Sequence, residues 1–231
     1  MSNKYPYTNF NNDPYHTHQK LLEKVRHGSK VLEIGCATGY FTSELLRKGC
    51  IVTPVEINKD YARIAQEQTG IKVISADVLK IDKYINVRNK YDYILLADVL
   101  EHTSDPFLAL TKLANYLGKQ GKFIISIPNI ANFSIRLMLL FGHFDYQDWG
   151  IMDRTHKYFF THASAKKLFD MAQLSVSDFD VVSGFETSKL YKKTIGPIIF
   201  RINILRNLEY LIAKSFPNLY ALEFIYELSK K

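Results

Sequence analysis

Only two cysteines, Cys36 and Cys50, occur in 231 residues, with no metal-type spacing and no secretory pattern, which argues against a disulfide framework or a zinc site. No apolar run approaches the roughly 18 residues that span a bilayer. The polar start MSNKYPYTNFNNDPY has none of the apolar core of a signal peptide. Internal repeats, low-complexity segments and linkers are missing as well. Together these absences predict a cytosolic protein of one domain, without a bound metal.

The remaining composition is that of an ordinary globule, 47% hydrophobic and 23% charged. Fifteen Tyr and fifteen Phe supply more rings than a core needs and predict an aromatic pocket or lid. The net charge of +7 is uneven: from Lys189 onward there are eight Lys/Arg against three Glu. Such a region suits nucleic acid, anionic lipid or a phosphorylated substrate, and equally a solvated face.

Hydrophobic patterning alternates strand and helix with a period near 25 residues as far as Ile127, which predicts βαβ units and a parallel sheet. A helix is expected over about Pro14–His27, strands at Val31–Ile34, Ile51–Val55, Ile71–Ile74, Tyr91–Ala97 and Lys122–Ile127, and a turn at Gly118–Gly121. Asp105-Pro106 opens a helix, with proline at a first helical position. The alternation stops at Pro128. An apolar helix near Asn132–Phe141 and the loop GHFDYQDWGIMDRTHKYFFT follow. Long loops of this kind in compact domains are usually functional. A helix at His162–Ala172, a β-like run Val176–Val182, an apolar-faced helix near Pro197–Lys214 and a strand at Tyr220–Leu228 complete the chain.

The richest segment is V-L-E-I-G-C-A-T-G-Y-F, Val31 to Phe41: a strand, a glycine turn and a helix start. Backbone approaches a ligand closely only where side chains are absent, so Gly35 and Gly39 mark the floor of a site. The second strand closes on an acid, Glu56, seventeen residues after Gly39. This is how an open parallel sheet holds a nucleoside. Dinucleotide binders use G-x-G-x-x-G, whereas here Ala37 replaces the middle glycine and Glu33 precedes the first. A carboxylate repels a pyrophosphate but suits an ammonium and a sulfonium, which favours S-adenosylmethionine over NAD.

V-L-E-I-G-C-A-T-G, the acid closing strand two, A-D after strand three and A-D-V-L-E-H after strand four resemble class I S-adenosylmethionine-dependent methyltransferases, over about residues 28–128. The resemblance implies an α/β Rossmann-like sheet of seven mostly parallel strands in the order 3-2-1-4-5-7-6, the last antiparallel, with helices on both faces and an inserted lid. It implies an N-terminal arm and helix (1–27) before a methyltransferase domain (28–231), with the lid at about 129–161 and the apolar helix at about 197–214. It further implies that Glu33, Gly35 and Gly39 line the methionine side of S-adenosyl-L-methionine. Glu56, followed by Ile57, would chelate the ribose. Asp77 and the Val78 amide would read adenine, and Asp98 would flank the methionine moiety. Asp77 as a simple turn cap is the competing reading, and Cys36 reads as filler. With no Pro-Cys pair, cytosine-carbon methylation through a cysteine adduct is not expected.

O-methylation benefits from a base near the acceptor, and histidine is the best matched at neutral pH. His156, in D-R-T-H, is expected to be that base or a substrate orienter; the competing reading makes Asp153, Arg154 and His156 a salt-bridged brace. His102 is a second candidate base, or a cap of the next helix. Arg154 offers a fork for phosphate or carboxylate, while Tyr146 and Trp149, with Phe144, offer a sugar-stacking wall. The insert from I-P-N-I-A-N to D-R-T-H-K-Y-F-F-T, with the closing P-N-L-Y-A-L-E-F-I-Y-E-L, resembles bacterial methyltransferases that accompany glycosyltransferases in surface-polysaccharide or lipid-carrier pathways. Methyltransferases of ubiquinone precursors share the A-D-V-L-E-H type of signature. The expected acceptor is a small-molecule, sugar or lipid-linked glycan hydroxyl. A tRNA or RNA methyltransferase and a non-catalytic S-adenosylmethionine-binding protein are the alternatives, although no RNA-binding appendage is recognisable. The 197–214 helix would dock on a membrane, pack over the sheet or join a homodimer.

Overall fold

The computed structural model describes residues 9–183 and 203–231. Seven strands form one sheet in the order β3-β2-β1-β4-β5-β7-β6. They are β1 (Lys30–Ile34), β2 (Ile51–Glu56), β3 (Ile74–Ser75), β4 (Tyr91–Ala97), β5 (Leu117–Pro128), β6 (Leu174–Ser183) and β7 (Ala221–Lys230). The pairs β3–β2, β2–β1, β1–β4 and β4–β5 are parallel, and β7 runs antiparallel to both β5 and β6. Fold class, strand order and the antiparallel final strand match expectation.

Strand alternation builds two cores. Leu32, Ile34, Ile94, Leu96, Phe123, Ile125, Phe224 and Tyr226 pack on one face against α4 (Pro106–Ala114) and α6 (His162–Met171). Their neighbours Val31, Tyr93, Leu95, Ile124 and Ile225 face α1 (Thr17–Lys24) and α2 (Tyr40–Arg47), meeting Leu21, Val25, Phe41 and Leu45. Burial on both faces is why these strands read as nearly unbroken apolar runs.

Three boundaries differ from the sequence reading. Helix α1 is shorter than Pro14–His27: the His16 ring caps it by accepting the His18 N–H, and the chain turns extended at Val25. Strand β3 is two residues, not Ile71–Ile74, because Val73 packs with Cys36, Ala62 and Ala65 and its N–H goes to the Gln66 side chain. That short β3 pairs only with Val55 and Glu56, which leaves Pro54, paired to β1 opposite Glu33, without a neighbour on its β3 side, where its missing donor is tolerated. Gly118–Gly121 is an excursion inside β5, since Leu117 pairs with Tyr91 and Lys122 with Tyr93; a Cβ on Gly121 would lie 2.7 Å from the Tyr91 carbonyl. Of the expected 197–214 helix, residues 197–202 lie outside the described residues, and α7 (Asn203–Ser215) covers the rest.

The other helices are α3 (Lys59–Thr69), α5 (Phe133–Leu140) and the single turn α8 (Pro217–Tyr220). Among the described residues no helix is long and apolar enough to cross a membrane.

Candidate active site

The site gathers where the parallel strands end. Beyond β1, the N–H groups of Gly35 and Cys36 donate to the Val55 carbonyl at 2.8 and 3.2 Å. Gly35 sits at φ +75°, and a Cβ there would stand 2.7 Å from Val99 Cγ2. Gly39, at φ +86°, begins α2 so close to α3 that a Cβ would stand 3.0 Å from the Ala65 Cα. Ala37 takes a left-handed φ of +48°, a conformation that favours glycine. The Glu56 carboxylate holds it there: Ala37 N–H donates to Oε2 at 2.9 Å and Asn58 N–H to Oε1 at 2.8 Å. Glu56 thus ties the β1 and β2 turns together.

Glu33 is buried, 3% exposed, and accepts a 2.6 Å hydrogen bond from the Thr42 hydroxyl. Burial pushes its pKa up to about 7; the Thr42 bond opposes the shift and the nearby Glu56 adds to it. A buried carboxyl poised near neutrality is a receptor for a cation. Thr38, in the same turn, has a buried hydroxyl with no hydrogen-bond partner. Cys36 is buried and its thiol is pushed far up by that burial and by Glu33 and Glu56, so it is inert, as expected of filler.

On the β2 and β3 ends, Ile57 is an exposed apolar side chain at 67%, and Val78 is buried. Asp77 caps the 3-10 turn Val78–Lys83 through Oδ1, which accepts the Leu79 N–H at 2.9 Å. Its capping role is present in the structure.

At the end of β4, Asp98 has φ +51° and is locked to β5. Its N–H donates to Ser126 Oγ at 2.9 Å, and that hydroxyl donates to Asp98 Oδ1 at 2.7 Å. Burial raises the Asp98 pKa, with Ser126 and His102 opposing. Sequence reasoning missed Ser126, although a lone hydroxyl in the run Phe123–Ile127 was a visible signal. It also gave no individual role to Asn129 and Asn132. Both are fully buried, and both side-chain amides donate to the Ala221 carbonyl, at 2.8 and 2.9 Å, anchoring the insert to β7.

The D-R-T-H loop docks on the 3-10 turn Leu100–His102. The Glu101 carbonyl accepts the N–H groups of Lys157 and Tyr158 at 2.7 and 3.1 Å. This brings the His156 ring edge-on to His102, with centroids 4.7 Å apart. His156 Nδ1 lies 3.1 Å from the Ile151 carbonyl, and burial pulls its pKa down to about 4, with His102 adding to the shift and Asp153 opposing it. His156 is therefore a neutral imidazole at pH 7. The Glu101 carboxyl is 1% exposed with neither oxygen hydrogen-bonded; burial, then Asp98, raises its pKa well above the usual range.

Two expectations are corrected. Asp153, Arg154 and His156 form no salt-bridged brace: Arg154 pairs with Asp148 at 2.7 Å, and Asp153 accepts from the Thr155 N–H and hydroxyl. His102 does not cap α4; Asp105 does, accepting the Leu108 N–H. Tyr146 and Trp149 are exposed, at 52% and 60%, and stay off the neighbouring cavity. That cavity, about 350 Å³, lies between the N-terminal arm, the β6 and β7 ends and α7, lined by Asn11, Asp13, Tyr15, Ser183 and Glu223 among others. It belongs to the same edge of the sheet, because Glu223 pairs with Pro128 at the end of β5 and bears on the Glu101 carboxyl.

Residues 9–178 match the family model described as "Methyltransferase domain". The chain belongs to this family. S-adenosylmethionine is the methyl donor of this class I enzyme, and the site fits it: the turn is a cradle that a Cβ would fill, a carboxyl awaits a cation and a hydroxyl awaits a partner. The chain is 26% identical over 170 residues to a ubiquinone biosynthesis O-methyltransferase of Aeromonas salmonicida (strain A449), covering 71% of each. A protein of the same name from Vibrio vulnificus (strain YJ016) is 27% identical over 44% of this chain and 45% of its own, so the chain spans less than half of that relative. The N-methyltransferase NodS from Bradyrhizobium japonicum WM9, solved with S-adenosyl-l-homocysteine, shares the fold, with a TM-score of 0.58 at 16% identity over 95% of this chain and 89% of that one.

Proposed function

We propose that this methyltransferase acts on a hydroxyl of a sugar or a lipid-linked glycan. The observation that carries the reading is the lining of the cavity beside the β5 end. Its walls carry hydroxyl, amide and carboxyl groups from Asn11, Asp13, Tyr15, Ser183 and Glu223, beside Arg206 and the apolar Val182 and Leu222, a donor and acceptor set suited to a polyol. The insert's resemblance to enzymes of polysaccharide pathways points the same way, and the O-methyltransferase relatives support oxygen as the acceptor atom.

S-adenosylmethionine supplies an electrophilic methyl group on a sulfonium. Around it, Glu33 offsets the positive charge, and Gly35 and Gly39 let the backbone approach. Glu56 keeps acceptor capacity for the ribose hydroxyls, since each carboxylate oxygen accepts only one of the two amides found. Ile57 covers one face of the adenine, Asp77 and Val78 meet its edge, and Asp98 flanks the methionine moiety. The chain's task is alignment and exclusion of water. His156 and His102, neighbouring imidazoles on the docked loop and the β4 turn, orient the acceptor oxygen. Tyr146, Trp149, Asp153 and Arg154 form the outer wall of the insert, where an extended acceptor passes.

An exposed row on α7, Ile204, Leu208 and Leu211, lies at helical spacing and supports contact with a lipid surface that carries such an acceptor. The decisive assay is transfer of labelled methyl to a panel of nucleotide-sugars, lipid-linked glycans, catechols and tRNA. Transfer to catechol or tRNA with none to the glycans would refute the acceptor class.

A further inference from the structure

We propose that Glu101, His102 and His156 form a binding site for a divalent transition-metal ion such as Mn²⁺, Co²⁺ or Zn²⁺, which also takes the acceptor's hydroxyl oxygen. One ligating atom from each of the three residues lies within 4.8 Å of the other two. Two imidazole nitrogens and one carboxylate, with positions left open, are a donor set such ions accept. Bonds of about 2.1 Å require the three atoms to close further, a movement within the reach of side-chain rotation.

Three observations separate this cluster from a chance gathering. The first is the state of Glu101, whose two carboxyl oxygens are buried without a hydrogen bond. An unsatisfied buried carboxyl is destabilising and calls for a partner. Edge-to-face contact of the two histidines explains their proximity but leaves Glu101 unaccounted for.

The second is the tautomer of each ring. His156 Nδ1 faces the Ile151 carbonyl at 3.1 Å; a carbonyl only accepts, so Nδ1 carries the proton and Nε2 the lone pair. His102 Nδ1 lies 3.1 Å from the Thr155 hydroxyl, whose hydrogen is already donated to Asp153 Oδ1 at 2.6 Å. That hydroxyl must accept from His102, which again leaves the lone pair on Nε2. Outer hydrogen bonds that fix Nδ1–H and free Nε2 are what ligating histidines need.

The third is the field. Asp98, Glu223 and Asp153 all add negative potential at Glu101, which favours a cation there. Two of the three ligands come from the β4 turn and the third from the D-R-T-H loop, so the ion would also hold the insert closed. A hydroxyl oxygen in an open coordination position loses its proton to water more readily. Contact with the acceptor rests on the hydroxyl reading above, whereas the ion site rests on the geometry alone.

The test is titration of Mn²⁺ alone into the full chain, free ion being read by electron paramagnetic resonance, repeated with Co²⁺ by visible absorption. We expect saturable binding of one ion per chain. Glu101→Gln and His156→Ala should each weaken it by about tenfold or more, while His143→Ala, an exposed imidazole of the same insert, should leave it unchanged. Glu101→Gln is nearly isosteric, and retained binding of S-adenosylhomocysteine shows that it is folded. No saturable binding, or binding that both ligand substitutions leave intact, overturns the site. Ion binding without methyl transfer to any glycan upholds the site and removes the acceptor class. Transfer at full rate from chelator-treated protein removes the ion's role on the acceptor.

Discussion

Replacing Glu33 by Gln should flatten the pH dependence that this one carboxyl imposes on stability. In the fold its pKa stands at about 7 against 4.5 for an unperturbed glutamate. Below pH 4.5 the group is neutral whether the chain is folded or not, and it contributes no penalty. Between pH 4.5 and 7 the unfolded chain releases a proton that the folded chain keeps, so stability falls as pH rises. The gap of 2.5 units corresponds to about 3 kcal/mol at 1.36 kcal/mol per unit. The Gln variant carries no charge, and its amide oxygen still accepts the Thr42 hydroxyl. Urea unfolding followed by far-UV circular dichroism at pH 4.5, 6 and 7.5 should therefore show near-equal stabilities at the lowest pH and a growing advantage for Glu33→Gln, reaching about 3 kcal/mol. His18, whose pKa burial depresses to about 3, titrates with the opposite sign, but it is common to both proteins and cancels in the difference. The order should reverse for the cofactor: wild type gains affinity for S-adenosylmethionine as pH rises through 7, since a cation then meets an ionised Glu33, and Glu33→Gln does not. Parallel stability curves for the two proteins would refute the reasoning.

Gly35→Ala places a Cβ 2.7 Å from Val99 Cγ2 at φ +75°, and should lower stability by about 1–3 kcal/mol; adding Val99→Ala should recover part of that loss in thermal melts, because it removes the clash and not the strain. Ala37→Gly at φ +48° relaxes a left-handed position and should raise stability by up to about 1 kcal/mol, read as a small rise in melting temperature. Ser126→Ala strips Asp98 of both hydrogen bonds and should cost about 1–3 kcal/mol, with a larger fall in S-adenosylmethionine affinity than Ala substitution at the distant Ser177 produces, measured by calorimetry. Asn132→Ala removes a buried amide that ties the insert to Ala221; hydrogen exchange should rise over residues 143–157 while β1 and β4 stay protected.

The sheet was legible because every central strand is buried on both faces, so its apolar run is long and its ends are abrupt. Gly35, Gly39 and Glu56 stood out for the opposite reason: they break the pattern at strand ends, where left-handed turns need glycine and a carboxylate ties two turns together. The proposed acceptor side was not. Its cavity joins Asn11 and Asp13 to Glu223, a juxtaposition made only when β7 inserts between β5 and β6, and no spacing along the chain encodes it. The aromatic loop led the reading towards Tyr146 and Trp149 because ring content is visible in sequence, whereas their exposure depends on Met152 and Ile151 taking the inward places instead. Strand β3 was overread because Ile71 and Val73 have strand-like side chains, and the Gln66 side-chain Oε1 diverts the Val73 N–H from the ladder.

Glu101 shows why the two halves of the site cannot be read separately. Within A-D-V-L-E-H it is a signature letter, and nothing local distinguishes it from a solvated acid. Its backbone carbonyl accepts two amides from residues 157 and 158, and those bonds bring the insert down on the β4 turn. The same docking seals the carboxyl from water and sets His156 against His102. An unpaired buried carboxyl opposes this closure, while two backbone hydrogen bonds and the apolar burial of Ile151 and Met152 favour it. The closed state is thus held against a local electrostatic penalty, and any cation that reaches Glu101 removes that penalty. On the proposed ion site, closure of the insert and filling of that site are coupled through Glu101, and exchange of the 157 and 158 amides should slow when the ion binds.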